Sequence, residues 1–230
     1  MKNPFSKKDK KNKKETEVVV APVETWKIDK QFSFCYGHRV WSQQLHGDYC
    51  ESGDTSCKCR ALHGHEGLVH VFLEAPVLER GMVTDFKHLG WLKNFLDDYL
   101  DHRFIIDLND PWFANIVGGS PVFENGRLTS FKPTRPLNTS EAETIQMTHV
   151  KVPGTDRVVG WELNTEETSL VGPEEEVLSG FFFVNFVPTS ENFSKWIYDC
   201  VDAKMSLIDV KTAQIDWFET PKSRSSYRKD

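Results

Sequence analysis

Two runs of strict alternation constrain this chain more than any other feature. From Trp26 to His38 (WKIDKQFSFCYGH), Trp26, Ile28, Phe32, Phe34, Tyr36 and His38 share one parity, and Lys27, Asp29, Gln31 and Ser33 take the other. From His63 to Leu73 (HGHEGLVHVFL), His63, His65, Val69, Val71 and Leu73 again fall on one parity. A period of two sends alternate side chains to opposite faces, so both segments read as half-buried strands. His38 ends the first strand on its apolar side, an awkward place for an unpaired imidazole, and His63 and His65 point the same way at the start of the second. The polar loop from Arg39 to Cys59 between them carries Gly47, Gly53 and three cysteines. It is long for a mere hairpin connection.

Downstream, Asp85 is a good helix cap, and Phe86, Leu89, Leu92, Leu96 and Tyr99 follow at helical spacing, which predicts a helix over about Phe86 to Leu100. Asn125-Gly126 and Pro153-Gly154-Thr155-Asp156 read as hairpin turns, the second between His149–Val152 and Val158–Leu163. Phe181 to Val187 reads as a strand. Pro188-Thr189-Ser190 then caps a helix whose stripe is Phe193, Trp196, Ile197, Cys200 and Val201. A last strand, about Val210 to Glu219, sets Ile215, Trp217 and Glu219 on one face. The order strand, strand, helix, insertion, strand, helix, strand gives an α+β class. The expected organisation is a lysine-rich arm over residues 1–20, then one domain over 21–230 with a β/loop insertion at about 110–180.

The chain has 230 residues, 39% of them hydrophobic, enough for a proper core. Its longest apolar run, FFFVNFV, is far shorter than the roughly 20 residues a membrane helix needs. No membrane span is expected. Five cysteines without an apolar leader argue for thiols or metal chemistry rather than a disulfide framework, and for the cytoplasm. Met1–Thr16 holds seven lysines and two acids, and in the remaining body acids outnumber bases 32 to 21. An acidic body argues against nucleic acid as a partner, and the arm reads as a solvated tail.

Chemistry concentrates in Cys57–His65 (CKCRALHGH). His63 and His65 on one strand face can supply two zinc ligands, and His38, on a neighbouring strand, is the best-placed third. Three protein ligands with a vacant fourth position is the usual arrangement of a catalytic zinc site. Cys59, four residues before His63, can sit near the metal without occupying it. Two plainer readings stay open on spacing alone. An H-x-H pair has many uses short of ligation, and a closed site could use Cys57, Cys59 and both histidines, although C-x-C is tighter than common structural zinc spacings.

His38, the CRALHGH stretch, GMVTDF (Gly81–Phe86), LDH (Leu100–His102), Leu108-Asn109, PTSEN (Pro188–Asn192) and Glu219-Thr220 occur in this order. In this the chain resembles the 6-pyruvoyltetrahydropterin synthase family, which includes 6-carboxytetrahydropterin synthase of the deazapurine (queuosine) pathway. The resemblance covers about Trp26 to Asn109 and Phe181 to Tyr227. It implies the tunnelling fold, an antiparallel sheet with two helices on one face, here with an insertion between the first helix and the third core strand. It implies homo-oligomers with active sites at subunit interfaces. It also implies Zn2+ held by His38, His63 and His65, with Cys59 as base and Asp101 and His102 completing a relay. Glu219 would grip the pterin, and Thr189 and Ser190 would line the same pocket.

These roles suit the residue types. A cation lowers the pKa of a neighbouring thiol, and a carboxylate can accept two hydrogen bonds from the guanidine-like edge of a pterin. The implied substrate is 7,8-dihydroneopterin triphosphate, and the preferred product is 6-carboxytetrahydropterin rather than the pyruvoyl compound. Rivals are a catalytically silent zinc-binding relative and an unrelated zinc hydrolase. Asp85 reads as a helix cap, Cys35 and Cys200 as packing residues, Cys57 as a stand-in nucleophile, and His70, His88 and His149 as ordinary histidines. Lys222, Arg224, Arg228 and Lys229 are candidates to neutralise a triphosphate.

Overall fold

The structure is a computed structural model that describes residues 24–50, 54–137, 143–166 and 172–229. The lysine-rich arm lies outside the described residues. Strands β1 (Trp26–His38) and β2 (His63–Ala75) form an antiparallel ladder that runs without a bulge from Trp26 opposite Ala75 to His38 opposite His63. Alternation decides which face is buried: Phe32, Phe34, Tyr36, Val69, Val71 and Leu73 are all at most 4% exposed. Asp85 caps the next segment as expected, its Oδ1 accepting from Lys87 N at 2.8 Å. That segment begins as a tight turn, Phe86–Leu89, and becomes helix α1 only from Gly90 to Tyr99.

A short strand, β3 (Arg103–Asp107), follows α1 and was not anticipated. It runs parallel to β1, so the sheet is mixed rather than wholly antiparallel. The insertion comprises α2 (Phe113–Val117), β4 (Gly119–Glu124), β5 (Arg127–Pro133), β6 (Ile145–Lys151), β7 (Val158–Leu163) and α3 (Pro173–Ser179). Its two hairpins turn where the sequence places them: Asn125 and Gly126 both take positive φ (51° and 76°), as a two-residue hairpin loop demands, and Gly154 does the same at 75°. Then come β8 (Phe181–Val184), α4 (Ser190–Met205), β9 (Lys211–Thr220) and a second unanticipated strand, β10 (Ser223–Tyr227). The ten strands form one sheet in the order β10-β9-β2-β1-β3-β8-β7-β6-β5-β4.

Two cores cover opposite faces of this sheet, as neighbours in β3 and β8 reveal. Ile105 and Phe182 belong to the core under α1 and α4, whereas Ile106, Phe181 and Phe183 belong to the core built with the insertion. The first core centres on aromatic rings: Phe193 stacks on Trp217 at 4.4 Å, and Trp217 Nε1 donates to Tyr36 Oη at 3.1 Å. That bond satisfies a polar group in a fully buried place, where leaving it unpaired costs about 1–3 kcal/mol. Cys200 is buried in this core as expected, but Cys35 is exposed rather than packed, because it lies on the β1 face that is exposed among the described residues from Lys27 to Cys35.

Candidate metal centre

The ladder register sets His38 directly opposite His63, with His65 one same-face step further along β2. Their ring centroids lie 4.5–5.1 Å apart, and one ligand atom from each falls within 4.8 Å of the others. Tyr36 packs against His38 and His65 from below. Gly67 makes room for it, since a Cβ there would meet the Tyr36 ring at 2.8 Å.

The second nitrogens of these rings are taken up by the backbone. His38 Nδ1 donates to Pro188 O at 2.6 Å and His63 Nδ1 to Ala61 O at 2.8 Å, and His65 hydrogen-bonds the backbone of Glu219. A carbonyl can only accept, so a ring nitrogen bonded to it carries the proton and the other keeps its lone pair. In agreement, His38 Nε2 and His65 Nε2 are buried with no hydrogen-bond partner. Burial pushes the His38 pKa down to about 4, with the neighbouring His63 and His65 adding to the effect against the Pro188 bond. His65 is lowered for the same leading reason, burial. Neutral imidazoles with free, converging lone pairs are what a zinc-type cation requires. The residues therefore fit a metal.

The loop between the strands delivers Cys59 to this site. Val40 N donates to Cys59 O and Leu45 N to Thr55 O, zipping the loop into a narrow arm. A tight turn over Lys58–Arg60 then holds the thiol on the wall of a cavity of about 400 Å³. His38, His63, Thr189, Ser190, Glu191 and Glu219 line the same cavity. Burial, a hydrogen bond with Cys57 and the charge of Glu219 raise the Cys59 pKa. The Glu219 carboxyl is raised too, by burial and by Glu191, and lies 3.8 Å from His38 Nε2. Thr189 has a second job, its Oγ1 capping α4 by accepting from Asn192 N.

Not every expected site residue reaches the cavity. Asp101 and His102 lie off it, beside Cys35: Asp101 Oδ1 accepts from Cys35 N at 2.7 Å, and His102 N donates to Cys35 O at 2.7 Å. Adjacent side chains rarely meet, yet His102 Nδ1 stands 3.0 Å from Asp101 Oδ2, because His102 takes a left-handed backbone (φ 58°). The His102 side chain is 82% exposed. Two of the candidate triphosphate cations are engaged elsewhere: Arg224 pairs with the buried Asp216 at 3.1 Å, and Lys229 with Asp199 at 3.4 Å. Glu191 and Gln43 line the cavity without having been singled out; Glu191 sits within the PTSEN run, whereas nothing local marks Gln43.

The model of the 6-pyruvoyl tetrahydropterin synthase family matches residues 27–230. The chain belongs to that family. The α+β tunnelling architecture expected from its sequence is the one observed. A 6-carboxy-5,6,7,8-tetrahydropterin synthase of Aquifex aeolicus is 39% identical over 95 residues, 40% of this chain and 59% of that one. The chain spans only 51–59% of the length of the curated relatives it matches. An uncharacterized protein of Wolinella succinogenes, WS1659, is 34% identical and superposes with a TM-score of 0.67 over 90% of this chain and 99% of its own. Among the described residues no helix is long and apolar enough to cross a membrane.

Proposed function

We propose that this chain is a zinc-dependent lyase that converts 7,8-dihydroneopterin triphosphate and water into 6-carboxy-5,6,7,8-tetrahydropterin, acetaldehyde and triphosphate. It would act in the cytoplasm, in deazapurine (queuosine-type) biosynthesis. The observation that carries this reading is the convergence of three imidazoles, with His38 and His63 tied through Nδ1 to backbone carbonyls, beside a cavity that also holds Cys59 and Glu219. The named Aquifex aeolicus relative supports the carboxy product.

His38, His63 and His65 would hold the zinc through Nε2. A bound zinc supplies Lewis acidity that makes the hydroxyl and adjacent C–H groups of the substrate side chain easier to deprotonate. Cys59 takes a proton from that side chain; its raised pKa in the metal-free chain keeps the thiol protonated until a cation lies beside it. Glu219 receives the paired N–H groups of the pterin edge, and Thr189 and Ser190 at the start of α4 bound the ring's far side.

Asp101 and His102 form a dyad held by a left-handed turn, with Asp101 half-buried, His102 exposed, and both outside the cavity of their own chain. Strained, pre-formed polar pairs of this kind concentrate at functional sites. In this reading a second copy supplies the dyad to the cavity, so the active unit is a homo-oligomer. Among the described residues the end strands β10 and β4 each have a ladder partner on one side only, which suits association.

The test is incubation with dihydroneopterin triphosphate, mass analysis of the pterin and an assay for acetaldehyde. A carboxy product with acetaldehyde supports the proposal. A pyruvoyl product without acetaldehyde moves the chain to simple triphosphate elimination, and zinc retention without conversion makes it a silent relative.

A further inference from the structure

A trough of about 590 Å³ beside the insertion is larger than the histidine cavity of about 400 Å³. It shares no lining residue with the histidine cavity. Its floor is Leu108 and Asn109, just past β3, and Asn185, just past β8; its walls are the Phe123–Leu128 hairpin and the ends of β6 and β7. That volume lies within the range of small-molecule sites.

Three features of the lining define an occupant. The first is charge: Arg127 and Lys151 border the trough, and the single acid among its lining residues is Asp156, whose side chain is fully exposed and stands 3.3 Å from Lys151. An ion pair so exposed to water is weak and yields readily to a better partner. Two cations gathered in this way on a chain of net charge −6 favour an anion. The second is flatness: the Trp161 and His149 rings meet edge to face at 6.2 Å, and Phe123 stands 55% exposed at the rim. Aromatic faces of this kind stack planar ligands. The third is edge recognition. His149 Nε2 donates to Leu128 O at 2.9 Å, which leaves Nδ1 as an acceptor, and Asn109 Nδ2 donates to Asp107 Oδ1, which leaves its own carbonyl oxygen unused by that bond.

We propose that this trough is a second ligand site, one that takes a planar heteroaromatic anion of mononucleotide size, with the ring against Trp161 and His149 and the phosphate or carboxylate between Arg127 and Lys151. Nucleotides and oxidised pterins share this chemistry. The site stands apart from the proposed reaction and does not depend on it.

Calorimetric titration of the full chain tests it, in a Glu219→Ala background so that the histidine cavity does not contribute. The probes are guanosine monophosphate, 6-carboxypterin and, as an anion without a ring, inorganic pyrophosphate. At least one ring-bearing probe is expected to bind one site per chain with Kd below about 100 μM, at least tenfold tighter than pyrophosphate. Which of the two binds tells nucleotide from pterin. Arg127→Glu/Lys151→Glu, at two exposed positions, should weaken that binding at least tenfold, and Trp161→Leu should do the same while His63→Ala leaves it unchanged. If Trp161→Leu fails to fold, the double charge reversal decides alone. Absence of binding by both ring compounds, equal binding of pyrophosphate, or indifference to the charge reversal overturns the proposal.

Discussion

The β1–β2 ladder and the insertion lie in one sheet but obey different tolerances. β1 and β2 pair residue for residue over thirteen positions without a break, whereas β4–β5 and β6–β7 each carry a register shift and β7 meets β8 through the single pair Trp161–Phe183. A slip of one residue in a strand moves every side chain to the other face. His38, His63 and His65 can converge only where that slip is forbidden, so the unbroken β1–β2 ladder is the part of the sheet that positions the candidate ligands. The insertion, freed from that demand, carries turns, a second core and a trough of its own.

Substitutions can test how sharply these two halves divide the work. The largest effect belongs to Cys59→Ala, which should cut turnover by about 10²–10⁴-fold, the range for a lost general base, while steady-state kinetics of any insertion-core variant that folds remain near wild type. Next come the two cores. Trp217→Ala should cost about 3–5 kcal/mol, strand the Tyr36 hydroxyl, and weaken zinc binding, because Tyr36 supports His38 and His65. Phe131→Ala in the insertion core should cost a similar amount in urea unfolding yet leave zinc affinity unchanged. Loss of zinc affinity in both variants would mean that the halves are not separable.

A smaller effect depends on pH. The folded His38 pKa is about 4, against about 6.5 in an unfolded chain. Between those values the unfolded state holds a proton that the folded state does not, so stability rises with pH. In the chelated protein it should therefore fall as pH drops from about 6.5 towards 4, by at most about 3 kcal/mol. Urea unfolding of His38→Gln should show a flatter profile over that window. The smallest effect is expected at Lys222: Lys222→Glu should raise the KM for a triphosphate substrate a few-fold if that side chain meets its phosphates, and an unchanged KM removes it from the site. Arg224→Glu should act instead on stability, since Arg224 is committed to Asp216.

Legibility in the sequence followed the same divide. Alternation alone exposed β1 and β2 and the shared face of His63 and His65, and caps at Asp85 and Thr189 marked both long helices. β3 escaped because five residues are too few to establish a period, and β10 because Ser223, Ser225 and Ser226 give no apolar rhythm; it holds on through pairing with β9 and the bond from Ser225 Oγ to Ser190 O. Periodicity could say that His38 lay on an apolar face, but not that Pro188, 150 residues away in sequence, would fix its tautomer. It also could not separate Asp101 and His102 from the cavity, because their place depends on the left-handed turn at His102. Gln43 gave no signal at all, since its approach to the cavity rests on the zipped loop.

In the proposed centre three imidazoles hold the metal while Cys59 stands beside it without ligating. Chelator-stripped protein, repleted with zinc, desalted and analysed for metal, tests this directly across wild type, His63→Ala and Cys59→Ala. About one zinc per chain is expected in wild type and in Cys59→Ala, with a large loss in His63→Ala. Loss of zinc from Cys59→Ala, or full retention by His63→Ala, would contradict it.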